Sequence, residues 1–192
     1  MALRSDPIIN VIDNGFKRDI TVLLENKCFR GALILIYSTI DAITFSSSSK
    51  DKTDRNDFIN WCERFLRVIG IDENKELYKL NGIDLYGARC SIVHTYGHML
   101  ESDLSKQGKC CIIGYMGRSV NQNNTSVKTS FDNSQGSILV MVSVYDLADA
   151  LFKGINDFLI DLYSHKEKNI DRICVFEKKV QQYIQESNID DV

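Results

Sequence analysis

Apolar residues recur at intervals of three and four over most of the chain, and each such stripe predicts a helix with one buried face. Across 7–27 the first stripe is Ile8, Ile9, Ile12, Phe16, Ile20, Leu23 and Leu24, opened by Asp6 as a cap and Pro7 in the first turn. Asn14 and Gly15 would split it into a short helix and a longer one. Over 29–45, Ala32, Leu33, Ile36, Ile40 and Ile43 leave little polar surface, the pattern of a central helix. Its polar exceptions are Ser38 and Asp41, and a carboxylate in such a helix needs a partner. A third helix is expected from 54, with Phe58, Trp61, Cys62, Phe65, Leu66 and Ile69 on its buried face and Gly70 as its stop. Residues 72–80 read as a short helix or turn leading into a helix at 83–96, ended by Gly97.

The serine-rich connector at 46–52 has no apolar content and reads as an exposed loop. After Leu100 the period shortens: 110–115 and 137–145 are β-like runs on either side of a stretch rich in Asn, Gln, Ser and Thr. Together they predict a β-hairpin or small sheet inserted at 109–144. Helical spacing resumes at 146–163 and again at 170–185. The fold class is therefore mainly α, a helical bundle with a small β insertion, in a single domain over 1–192.

Composition narrows the function classes. The 192 residues are 44% hydrophobic and 26% charged, ordinary for a globular domain able to bury its own core. A net charge of −3 argues against a broad basic nucleic-acid platform but leaves room for a small phosphate site. The six cysteines form no CxxC pair, which suits a reducing compartment. No apolar leader or bilayer-length apolar run is visible, so a soluble, cytoplasmic protein without a membrane partner is expected.

The chemistry concentrates in Leu85-Tyr86-Gly87-Ala88-Arg89-Cys90-Ser91-Ile92-Val93-His94-Thr95. Arginine is a permanent cation suited to bidentate phosphate binding, and histidine exchanges a proton near neutral pH. Together they meet the needs of metal-free RNA cleavage, in which the 2′-hydroxyl is the nucleophile. A straight helix, however, places residues five apart roughly 140° around the axis and ~7.5 Å along it. Either the helix ends or distorts near His94, or two copies of the motif converge across a two-fold axis. Each residue also has a purely structural reading: an ion pair of Arg89 with Asp41 or Asp84, and His94 against the last helical carbonyls.

Set in a mostly helical chain, this Arg-x4-His spacing resembles the HEPN superfamily, the higher eukaryotes and prokaryotes nucleotide-binding domains, many of which are ribonucleases with an Arg-x4-6-His motif. The resemblance implies a metal-independent endoribonuclease with Arg89 and His94 as the catalytic pair, acting on an RNA substrate at a composite site in a homodimer. It also implies a setting in a toxin–antitoxin pair or anti-phage defence, with an antitoxin or other regulatory protein as a possible partner. A polar residue on the preceding helix frames such sites, which brings in Asp41 and Ser38. Active members usually carry Asn, Asp or His directly after the arginine; here the residue is Cys90. The competing reading is a catalytically inactive helical module for dimerisation or partner binding. No cofactor is expected, and no metal: His94, His98 and Glu101 lack the internal glutamate of a zinc HExxH helix. Cys110-Cys111 reads as strand packing and His165 as a solvated helix end.

Overall fold

Helix α3 (Phe29–Ser47) is the centre of the molecule, as its nearly all-round apolar sequence requires. The computed structural model describes residues 8, 10–72, 74–95, 111–117, 138–164 and 166–187, with backbone alone at 94, 95, 166 and 183–187. The element order is α1 (Asn10–Lys17), α2 (Arg18–Glu25), α3, α4 (Arg55–Phe65), β1 (Ile69–Asp72), β2 (Leu77–Lys79) and α5 (Gly82–Thr95). Then come β3 (Cys111–Met116), β4 (Ile138–Ser143), α6 (Val144–Tyr163) and α7 (Lys166–Ser187). The described chain is mainly helical with a small four-stranded mixed sheet.

Gly15 does not split the first helix; the segment widens into a π-helix over α1 and continues directly into α2. Asp6 and Pro7 lie outside the described residues. Lys27, at φ 57°, stops α2: its N–H and that of Cys28 bond back to the carbonyls of Leu24 and Leu23, which turns the chain into α3.

Ala32, Leu33, Ile36, Tyr37, Ile40 and Ile43 of α3 are all buried, and α2, α4, α5, α6 and α7 pack around them. By length and apolarity α3 could cross a membrane, yet half of its most apolar window is buried inside this fold. Its composition is that of a core helix. Beside it Trp61, Phe65, Phe158 and Phe176 form an aromatic cluster that joins α4, α6 and α7, so the lone tryptophan is indeed core.

Helix α4 starts where the sequence places it. The Asp54 carboxylate accepts from the N–H groups of Asn56 and Asp57, and Asp57 accepts from the N–H of Asp54, a reciprocal capping box. It ends four residues earlier than the apolar spacing predicts. Arg67 donates to the carbonyls of Glu63, Arg64 and Leu66, closing the C-terminus, and Gly154 of α6 passes against the Phe65 carbonyl. Ile69, expected on the helix, opens β1 instead.

The sheet refines two further expectations. Of the helix or turn expected at 72–80, the turn alternative holds at Asn74 and Lys75, and the strand β2 that follows pairs with β1; the sheet order is β2-β1-β4-β3. Within the 110–115 and 137–145 runs, β3 and β4 do pair, but in parallel, with Ile113 opposite Val140, so of the hairpin or small sheet expected it is a small sheet that forms. β4 also pairs antiparallel with β1. The inner face, with Val140, Val142, Gly70 and Cys111, packs on the helices. Residues 118–137 lie outside the described residues.

Candidate functional site

Helix α5 carries the Arg-x4-His motif, and its start is tightly specified. Asn81 caps it by accepting from the Asp84 N–H, Asp84 accepts in return from the Asn81 N–H, and the Gly82 N–H reaches Glu63 on α4 at 2.6 Å. Asp84 is thereby committed to the cap, 8% exposed. Beneath it, burial and then the Asp84 charge push the Tyr78 phenol up to about 12. Gly82 is needed because a Cβ there would stand 2.5 Å from the Ile59 carbonyl.

Two turns further on, Arg89 meets α3. Its Nε and Nη2 both lie 2.8 Å from Oδ2 of Asp41. Of the two carboxylates considered for Arg89, the fold thus selects Asp41, and the buried-helix carboxylate has its partner. Partial burial works against the guanidinium charge, but the hydrogen bond and charge of Asp41 outweigh it and hold the Arg89 pKa above its usual value.

The pair sits on the wall of a groove of about 680 Å³ between α3, α4 and α5. From α3 come Ser38 and Asp41; the approach to α4 supplies Thr53 and Asp54, and its first turn Arg55; α5 supplies Tyr86 and Arg89. Three sequence candidates, Ser38, Asp41 and Arg89, are therefore brought together. The Arg55 guanidinium lies over the Tyr86 ring, 5.3 Å from its centroid, and Phe58 meets the same ring edge-on at 5.6 Å. Burial lifts the Tyr86 phenol pKa, with Cys90 adding to it.

Neither Arg55 nor Tyr86 stands out in the sequence as a site residue. The available signal was helical spacing: Tyr86 is three residues before Arg89 and so shares its face. Arg55 carried no such signal, since it reads as the first turn of an ordinary helix.

No break in α5 brings position 94 round to the face that carries Arg89. Helix α5 runs unbroken through Thr95, so the two positions stay roughly 140° apart around the axis. The strip of helix between them carries Tyr86, Val93 and Cys90, each partly buried. The His94 backbone belongs to α5, and its imidazole lies outside the described residues, as do Gly97, His98, Glu101, Cys110 and His165. Beside the same end of the helix, Phe29, Leu33, Ile92 and Tyr115 line a smaller, apolar pocket of about 230 Å³.

Chemically, the groove offers a fixed guanidinium, a second guanidinium stacked on an aromatic ring, and the hydroxyls of Ser38 and Thr53. That donor set suits an oxyanion. Among the described residues no group of three His, Cys, Asp or Glu side chains is placed to hold a metal ion, and the described cysteines are free thiols. Compared with protein-family models, curated proteins and solved structures, the chain matches none.

Proposed function

We propose that the protein is a metal-independent endoribonuclease of HEPN type, with Arg89 and His94 as its working pair. The observation that carries this reading is the Arg89 guanidinium, fixed by Asp41 on the wall of a groove rich in hydrogen-bond donors and five residues before His94 on one continuous helix. In the reaction the 2′-oxygen of RNA attacks the adjacent phosphorus, the bond to the 5′-oxygen breaks, and a 2′,3′-cyclic phosphate remains. Arg89 stabilises the negative charge of the phosphorane. His94 takes the 2′ proton or supplies the proton to the leaving oxygen.

Because positions five apart on one continuous helix lie roughly 140° apart around its axis, this reading calls for a composite site. Two chains pair as a homodimer, and the arginine of one copy works with the histidine of the other. Such an enzyme fits a cytoplasmic role in a toxin–antitoxin pair or phage defence, restrained by a regulatory protein. No cofactor is required, since the substrate carries its own nucleophile.

The test is cleavage of mixed-sequence single-stranded RNA by purified protein in EDTA. His94→Ala is expected to slow it by about 10²–10⁴-fold and Arg89→Ala by about 10²–10³-fold, with cyclic-phosphate or 3′-phosphate ends on the products. Unchanged cleavage in both variants would refute the assignment. A second reading, a catalytically inactive dimerisation or partner-binding module, is favoured by Cys90 after the arginine and by the pairing of Arg89 with Asp41. On that reading the double variant weakens the dimer and no RNA is cut by either protein.

A further inference from the structure

We infer that Arg55, stacked on Tyr86, is the second phosphate-binding residue of the groove and holds the RNA backbone beside the phosphodiester engaged at Arg89. This rests on the ribonuclease reading above for the identity of the ligand as single-stranded RNA. Its structural basis is separate, since it uses residues outside the Arg-x4-His motif.

Three observations carry it. First, Arg55 and Arg89 come from different helices yet line one groove, and the ring that supports Arg55 belongs to Tyr86, one helical turn before Arg89. A polyanion entering the groove meets both guanidiniums in succession. Second, the stack orders the Arg55 head before any ligand arrives. The cation–π contact restrains the guanidinium over the ring face, so less side-chain freedom is lost when a phosphate docks. Third, the two carboxylates of the groove are engaged. Asp41 receives Arg89, and Asp54 accepts the first N–H groups of α4 and lies 3.3 Å from Lys50. Repulsion of an incoming phosphate by carboxylates is thereby reduced, while Ser38 and Thr53 add hydroxyl donors along the wall.

The planar fork matters as well as the charge. A lysine at position 55 would keep the cation but lose the bidentate edge. Arg55 therefore acts in binding, and the proton transfers belong to other residues.

The experiment uses the full chain and a short fluorescent 2′-O-methyl RNA, which lacks the nucleophile and reports binding alone, read by anisotropy across a salt series. Wild-type protein is expected to bind; Arg55→Gln should weaken binding by about tenfold and lower the salt slope by about one phosphate contact. Arg55→Lys should fall between the two, with the slope retained. Thermal unfolding of both variants checks that the fold is intact, and if Arg55→Gln unfolds, Arg55→Lys alone decides, by binding more weakly at an unchanged slope. Binding of Arg55→Gln equal to wild type, or no binding by wild type, overturns the inference. Cleavage of unmodified RNA is measured in parallel and separates the two ideas. Cleavage with Arg55-independent binding sinks this inference alone, whereas Arg55-dependent binding without cleavage sinks the ribonuclease reading alone.

Discussion

Two phenols meet where the central helix touches the sheet: the hydroxyls of Tyr37 and Tyr115 are 2.7 Å apart, and Tyr37 is fully buried. Each satisfies the other in a place where water does not reach Tyr37. Tyr37→Phe leaves Tyr115 without that partner and is expected to cost about 1–3 kcal/mol in urea unfolding. Replacing both should cost less than the two single changes added together, because the second change removes the group that the first stranded. Burial, ahead of the other causes, raises both phenol pKa values above the ordinary 10.0. A raised folded-state value means that the neutral forms stabilise the fold fully below pH 10, and that this contribution drains away as pH climbs above it. Alkaline titration of stability should therefore fall more steeply above pH 10 for wild type than for the double phenylalanine variant.

At the scale of elements, the helices were legible because each needs only one buried stripe, and the stripes of α3, α4 and α6 are dense in isoleucine, leucine and phenylalanine. What the stripe does not carry is where a helix stops. Phe65, Leu66 and Ile69 continue the spacing of α4, yet Arg67 closes its carbonyls and α6 crosses so near that a Cβ on Gly154 would stand 2.7 Å from Leu66 Cδ2. Gly154→Ala is accordingly expected to destabilise by about 1–3 kcal/mol through overpacking, measured by thermal or urea unfolding. Strand direction was hidden for a related reason. Alternation assigns faces within 110–115 and 137–145, but nothing in either run names its neighbour, and β4 takes β1 on one side and β3 on the other. The candidate site was legible where chemistry is rare, as with Asp41 in an apolar helix and Arg89 in its motif. It was opaque where an ordinary surface arginine, Arg55, becomes part of a groove only through the packing of α4 on α5.

For the whole molecule, the decisive geometry is that α5 runs unbroken past both motif residues. If the working arginine and histidine come from different copies, two dead proteins should repair one another. Mixing Arg89→Ala with His94→Ala under conditions of subunit exchange is expected to restore a share of wild-type cleavage, because the heterodimer holds one intact pair. Recovery should be absent if each chain carries its own complete pair. An affinity tag on one variant, with co-purification of the untagged one, separates a failure to exchange from a failure to complement.

The position of β4 between β1 and β3 has a consequence for how the chain is made. A protein leaves the ribosome from its N-terminus, so β1, β2 and β3 all emerge before the strand that joins them. Until Ile138–Ser143 appears, β1 and β2 amount to a two-stranded ribbon, marginal on its own in water, and β3 lacks the neighbour it has in the sheet. Ser143, the last residue of β4, is also the N-cap of α6, accepting from the Asp146 N–H. Closing the sheet and starting the helix that brings Phe158 to the aromatic cluster are therefore one event, and a nascent chain stalled just short of it would expose the inward-facing residues of β1 and the flank of α3 to whatever chaperones stand nearby.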